Sequence, residues 1–441
     1  MPVIRALLIA GVGARLLLLG AVLLVNPRVE SFLVLDAPRF VTEARNVLAH
    51  GVLSQSATPP ITPTMFDVPA YPLLLAGLLG VFGPRAGVVA ALVVNIVSFA
   101  LTVGLLYALV RRRHGERAAL RAAALLTVVP TTFFYVLVPM PDVLFLLPFM
   151  AFLLFLEAHL ARGRRRDLAL AAAALALAIL VKPIGAGFVL LGALALLAAH
   201  GRRAAAPVAL FAGTVLLIVS PWVARNYVVF GAATLTNVAD ATLYKEYVQM
   251  ASRLRGLPPE QVMTAEVLEL RARYDTEFHS VPAPELARLR RQASEGMRGH
   301  WVFYFMRVHL RNAYQFLGAG TSGFFRLFGV DLAPRLAEVA RERGLRAALA
   351  RVARDRELTA YVLLQSAATA VVVAVFALGA AGLIRSATRL DVRGLWLPLT
   401  GIAYLVGMTG PFSNSRYALP ILPFVLMLAA GVLAKPVGGR P

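Results

Sequence analysis

The chain contains no cysteine, which excludes disulfides and thiolate metal sites outright and leaves the redox compartment unread. Its seven histidines form no HExxH pattern, and no two stand at an obvious metal-ligand spacing. There is neither a glycine-rich phosphate loop nor a nucleophile elbow, so nucleotide-hydrolysing pumps and zinc proteases are set aside. Acidic residues are scarce, 23 against 44 Lys and Arg, and charged residues of both signs make up only 15% of the 441. Strand alternation does not recur, which argues against an outer-membrane barrel. Tandem repeats and low-complexity linkers are absent as well.

What the chain has instead is apolar length. It is 59% hydrophobic, with a mean hydropathy of +0.73, far from the profile of soluble domains. A helical span needs about 20 largely apolar residues to cross about 30 Å of hydrocarbon, and many such runs occur. The composition predicts an all-α polytopic membrane protein. Spans are expected near 3–25, 86–110, 118–138, 143–161, 167–183, 185–200, 206–222, 358–384, 394–410 and 417–434. The opening run, with Arg5 and no small-residue cleavage site, reads as a retained first span.

The net charge of +21 invites a nucleic-acid reading, but its distribution argues against one. Arginines cluster at span ends, at Arg111 to Arg113, Arg162 to Arg166, and Arg202 with Arg203, as short cytoplasmic loops require. Ten spans with both termini inside satisfy these clusters. The expected organisation is a transmembrane module over 1–222 with a first extracytoplasmic loop at 26–85, an extracytoplasmic helical cap over 223–357, and C-terminal transmembrane helices over 358–441.

Two apolar segments are left out of the span count. Asp67 to Gly83 has Pro69 and Pro72, and crossing there would put Arg111 to Arg113 outside, so it is expected at the outer interface as a surface or re-entrant helix. His300 to Gly318 carries Arg307, His309 and Arg311 mid-segment, each costing about 2.5–3.5 kcal/mol at a helix centre, and reads as a second interfacial helix. The basic stretch Arg335 to Arg356 would suit the cytoplasm, yet long loops translocate regardless of charge.

The first loop holds LDAPRFVTEARNVLAHG, Leu35 to Gly51. Phe40, Val41, Ala44, Val47 and Leu48 share one helical face, opposite Arg39, Thr42, Glu43, Arg45 and Asn46, the pattern of a helix lying in the interface. Asp36 stands ahead of Pro38, and Asp142 follows Pro139, Met140 and Pro141 in a short outer turn. Each is equally suited to cap the helix behind it. The topology nevertheless puts both on one side of the membrane, where two carboxylates can divide the tasks of base and orienter. Lys182 in LVKPIG, Arg225 in SPWVARNYVVFG and Arg416 in NSRYALPILPF collect at the same level. Each of these can snorkel to headgroups, and together they suit a lipid-linked phosphate. Arg15 lies deep in the first span and needs an unnamed partner in the bundle. Glu157 and His159, in the inner turn of the fourth span, can snorkel and are given no function.

Taken in order, an early Asp opening an amphipathic loop helix, then PAYPLLLAGLLGVFG, a Pro-Asp turn, a Lys-Pro turn, PWVARNYVVFG and a closing RYALPILPF resemble the C-type membrane glycosyltransferases. The nearest groups are the protein O-mannosyltransferases and the aminoarabinose transferases of lipid A. The resemblance implies a donor sugar carried on a polyprenyl phosphate, transferred with inversion to an acceptor hydroxyl on the extracytoplasmic side of a bacterial inner membrane. It implies Asp36 as general base and Asp142 as the second acid. Lys182, Arg225, Arg416 and Tyr417 then lie near the lipid phosphate, with Tyr71 and Asn226 as further candidates.

Relatives often carry a basic residue just before the Pro-Tyr segment; this chain has Asp67, which becomes a candidate third carboxylate. The implied partners are the lipid-linked donor, a lipid, glycan or protein acceptor, and membrane lipids, with no nucleic acid. No cofactor is called for, and a divalent metal is neither demanded nor excluded. The alternative is a transporter or flippase of a lipid-linked or anionic solute, which would show repeated halves and ionisable groups at mid-membrane.

Overall fold

A computed structural model describes residues 2–273, 281, 283–320, 323–332, 344, 346–388, 392–409 and 415–434. Among them the secondary structure is entirely helical. The protein is an all-helical polytopic membrane protein, and six helical stretches are long and apolar enough to cross a bilayer. Of the basic stretch 335–356, residues 335–343 and 345 lie outside the described residues.

The first span is α1 (Pro2–Val25). A loop with one 3-10 turn leads to α2 (Ala37–His50), begun by Pro38 in its first turn and stopped by Gly51 in the left-handed region. Next, α3 (Ala70–Val128) changes direction at Gly83 (φ 81) and Gly115 (φ 80), so its three arms match the expected surface helix and the next two spans. The first arm folds back tightly. A Cβ on Gly87 would lie 2.7 Å from Leu79 Cα, so only glycine permits that turn.

The expected span 118–138 is interrupted. Val129 takes the extended ψ of 121 that a following proline favours, and a short α4 (Pro130–Tyr135) completes the crossing. Three more helices follow, α5 (Pro141–Arg162), α6 (Arg165–Val181) and α7 (Gly187–His200). After them, α8 (Ala205–Phe230) runs past the expected end at 222, because Pro221 is accommodated within the helix and Gly231 terminates it.

Beyond α8 come α9 (Val238–Arg255) and α10 (Ala283–Gly296), which pack on each other and receive Phe66 from the first loop into their shared core. The segment 300–318 is no single span: an α turn, a π turn at Phe305–His309 and a 3-10 turn succeed one another. The last helices are α11 (Arg356–Thr388), α12 (Val392–Thr409) and α13 (Leu422–Leu433). The expected span 417–434 breaks between Ala418 and Leu422, around Pro420.

Two packing devices hold the bundle. Phe145, Phe149, Phe152, Phe188, Phe211 and Phe424 form a buried ring cluster with centroids 4.6–6.3 Å apart. The alanines of α6, with Ala171, Ala172, Ala176 and Ala178 fully buried, let it sit close to α5 and α8. At the end of α5 away from Asp142, Glu157 pairs with Arg113 at 2.5 Å and buried His159 bonds the Arg164 carbonyl and His200. Neither needs to snorkel, because neighbouring helix ends supply partners.

Candidate active site

Prolines set the site by ending or starting helices. Met140, before Pro141, is extended (φ −135, ψ 159) and places Asp142 in the first turn of α5. Lys182, before Pro183, is likewise extended (φ −152, ψ 121), which ends α6 there. Leu35 adopts φ 58, a left-handed conformation unusual for leucine, immediately ahead of Asp36. Gly320 (φ 66) is the fourth device: a Cβ there would lie 1.9 Å from Ser415 Oγ. That serine hydrogen-bonds Tyr135 Oη at 2.9 Å, next to Arg416.

These turns converge on one guanidinium. Arg416 Nη1 donates to Asp36 Oδ2 at 2.6 Å and Arg416 Nε donates to Asp142 Oδ1 at 3.0 Å. Lys182 Nζ donates to the same Asp142 oxygen at 2.5 Å. The Tyr417 ring lies 5.1 Å from Lys182 Nζ and 5.2 Å from the Arg416 guanidinium. Residues 380 positions apart in the chain thus share one ion-pair network.

Neither aspartate caps its helix. The Asp36 and Met140 positions that begin α2 and α5 show no side-chain cap bond, and both carboxylates turn to cations instead. Asp142 is only 2% exposed, its Oδ2 meeting no donor among the described residues, whereas the Asp36 side chain is 31% exposed. Asp36 is therefore the more accessible of the two acids.

A second limb extends from Asp36. Arg39 Nη2 lies 3.7 Å from Asp36 Oδ2 and grips Asp67 twice, through Nε at 2.9 Å and Nη2 at 3.2 Å. Gln55 Nε2 bridges Asp67 Oδ2 (2.9 Å) and Glu43 Oε1 (2.8 Å). Tyr71 packs its ring edge-on against Phe40 at 5.4 Å, with a buried hydroxyl that has no partner among the described residues.

The other two candidates stand apart. Arg225 Nη1 donates to the Thr64 carbonyl at 2.8 Å and to Asn226 Oδ1 at 2.9 Å, and the guanidinium lies between the rings of Trp222 and Phe230. Asn226 donates to the carbonyls of Thr234 and Leu235. Both pin the end of α8 to the loops around it, three residues before Asp67 in one case.

Arg39, Glu43 and Gln55 were assigned no site role from the sequence, and neither were Tyr135 and Ser415. The signal for the first two was present: Asp36, Arg39 and Glu43 are spaced i, i+3, i+7, one helical face. The amphipathic reading of α2 assigned that face to water; Glu43 and Asn46 are buried and Leu48 is exposed.

Five charged pairs thus join the acids Asp36, Asp67 and Asp142 to Arg39, Arg416 and Lys182.

Among solved structures the chain is similar to ArnT from Cupriavidus metallidurans bound to undecaprenyl phosphate, at 17% identity and a TM-score of 0.42, over 96% of this chain and 60% of that one. It is also similar to the Archaeoglobus fulgidus oligosaccharyltransferase in the apo form, at 16% identity and a TM-score of 0.47, over 90% of this chain and 46% of that one. The chain therefore spans less than two thirds of either. No curated protein matches. Residues 63–224, which contain Asp67, Asp142 and Lys182, match the family model described as dolichyl-phosphate-mannose-protein mannosyltransferase, so the resemblance to the C-type membrane glycosyltransferases is borne out.

Proposed function

We propose that the protein is a membrane glycosyltransferase that moves a sugar from a polyprenyl-phosphate donor to an acceptor hydroxyl, with Asp36 as general base. The observation that carries this reading is the Arg416 bridge between Asp36 and Asp142, with Lys182 on the same carboxylate. It puts an accessible base beside two cations.

In the proposed step the acceptor hydroxyl gives its proton to Asp36 as its oxygen bonds to the anomeric carbon. The bond from that carbon to the phosphate oxygen breaks, its electron pair leaves with the polyprenyl phosphate, and the configuration inverts. Lys182 and Arg416 stabilise the charge that develops on the leaving phosphate. Tyr417 stacks beside the two cations, and Tyr71 packs behind the loop helix. Arg225 and Asn226 act at a distance, by holding the first loop.

The layout of α5 supports an extracytoplasmic site. Its 22 residues run about 33 Å, from Asp142 at one end to Glu157, paired with Arg113, and Arg162 at the other. Arginine-rich loops favour the cytoplasm, which leaves the site on the extracytoplasmic face.

The test is transfer in proteoliposomes supplied with a panel of polyprenyl-phosphate monosaccharides, read as release of polyprenyl phosphate. Loss of a general base costs about 10²–10⁴-fold, so Asp36→Asn should fall by that much while still folding in the membrane. A wild-type rate in Asp36→Asn removes it from the role of base. A carrier would move the lipid-linked sugar between leaflets and release no phosphate.

A further inference from the structure

Glu43 is fully buried on α2, two turns beyond Asp36. The donor that reaches it is Gln55 Nε2, on Oε1 at 2.8 Å, and that nitrogen also serves Asp67 at 2.9 Å. Glu43 Oε2 has no donor among the described residues. Asp67 and Glu43 are thus held against one and the same amide nitrogen. Two ionised carboxylates in that position would repel each other in a dry site, and an ionised carboxylate accepts at both oxygens and donates nothing.

One proton removes the conflict. We propose that Glu43 is held as a carboxylic acid that donates a hydrogen bond to Asp67, making it the positioning residue that locks Asp67 onto Arg39 and thereby orients Asp36. The proposal rests on the reading of Asp36 as base. Burial, and then Asp67, push Glu43 well above the usual carboxylate range; Arg39, one turn back on its own helix, and the Gln55 amide pull the other way and do not prevail.

The charge count gives the reason such a device is useful. With Glu43 neutral, Asp36, Asp67 and Asp142 balance Arg39, Arg416 and Lys182. Ionising Glu43 adds a negative charge beside a site that must admit a phosphate, and it repels Asp67 from its seat on Arg39. Transfer should therefore decline on the alkaline side as Glu43 gives up its proton.

The experiment pairs a structural with a kinetic readout, on Glu43→Gln and Glu43→Ala in the full chain. Glutamine is neutral and can donate to Asp67, so Glu43→Gln should restore what Glu43→Ala loses and should abolish the alkaline decline. Glu43→Ala should fall by about tenfold or more, as expected when a reacting group is displaced by a fraction of an ångström. Infrared difference spectra of wild type against Glu43→Gln at neutral pH should show the loss of one protonated-carboxyl carbonyl band. The proposal is overturned if that band does not change, or if Glu43→Gln is as inactive as Asp36→Asn. If wild type releases no phosphate from any donor, the function reading fails alone, and the infrared arm still decides where the proton sits.

Discussion

Arg15 and Arg416 are both arginines withdrawn from water, 1% and 9% exposed, and they are neutralised in opposite ways. Arg416 is clasped by two carboxylates. Arg15 donates to the carbonyls of Gly11 and Thr127 and to the Thr132 hydroxyl, between the rings of Phe99 and Phe133. The Thr127 carbonyl is available because α3 ends at Val128, and the turn into Pro130 leaves the last carbonyls of the helix without their usual donors. Two of these partners belong to the backbone and the third is a buried neutral hydroxyl, so none is an anion that a phosphate would replace. Carboxylates can be displaced by a phosphate. The partners, more than the depth of burial, separate a cation that ties helices together from one poised for substrate.

Breaking the clasp should have the largest effect. Arg416→Met strands Asp142 with Lys182 and unties Asp36, and removing one partner from a buried ion pair costs about 3–5 kcal/mol. Transfer should drop by about 10²–10³-fold, the range for losing one donor to a developing oxyanion. Arg416→Lys keeps the charge as a single point that cannot bridge two carboxylates, and should fall between. Phosphate release and thermal unfolding in detergent check both. A wild-type rate in Arg416→Lys would mean that charge suffices and the bridging geometry does not matter.

The same change at the other arginine should read out differently. Arg15→Met leaves the Thr127 carbonyl and the Thr132 hydroxyl without their donor, worth about 1–3 kcal/mol of stability. The rate per folded molecule should stay at the wild-type level. Thermal unfolding beside a rate normalised to folded protein separates the two quantities. If transfer collapses while unfolding is unchanged, the contrast between the two arginines is wrong.

The contrast also shows what could be read from the chain. Most spans were legible because twenty apolar residues in a row admit few other meanings, but the breaks inside the expected spans 118–138 and 417–434 were not. Asp36, Asp142, Lys182 and Arg416 stood out because Pro-linked turns deliver them to helix ends. Two things were not legible. Arg225 has the same type and the same interfacial setting as Arg416, and only the fold shows that it bonds a loop carbonyl instead of a carboxylate. Glu43 looked like one more polar residue on an amphipathic helix, since a hydrophobic pattern cannot reveal that the first loop returns over α2 and covers its polar side with Gln55 and Asp67. Arg15 was legible as a problem, a charge inside a span, but its solution lies in a helix break more than a hundred residues away.

The smallest expected effect decides what holds Asp36 in place. Leu35, just before it, sits at φ 58 and is 52% exposed, so its side chain gains little from burial to offset a conformation that costs a non-glycine residue about 1–2 kcal/mol. Glycine adopts that conformation freely but loses about 0.5–1 kcal/mol of backbone entropy on folding. Leu35→Gly should therefore raise stability slightly, by about 1 kcal/mol or less, measurable as a shift in thermal unfolding. If the Arg416 and Arg39 guanidinia fix the Asp36 carboxylate, the rate should change little, because the ion pairs outlast the relief of strain behind them. If the rate instead falls as far as in Arg416→Met, the strained backbone orients the base, and the carboxylate partners of Arg416 follow the site's geometry instead of setting it.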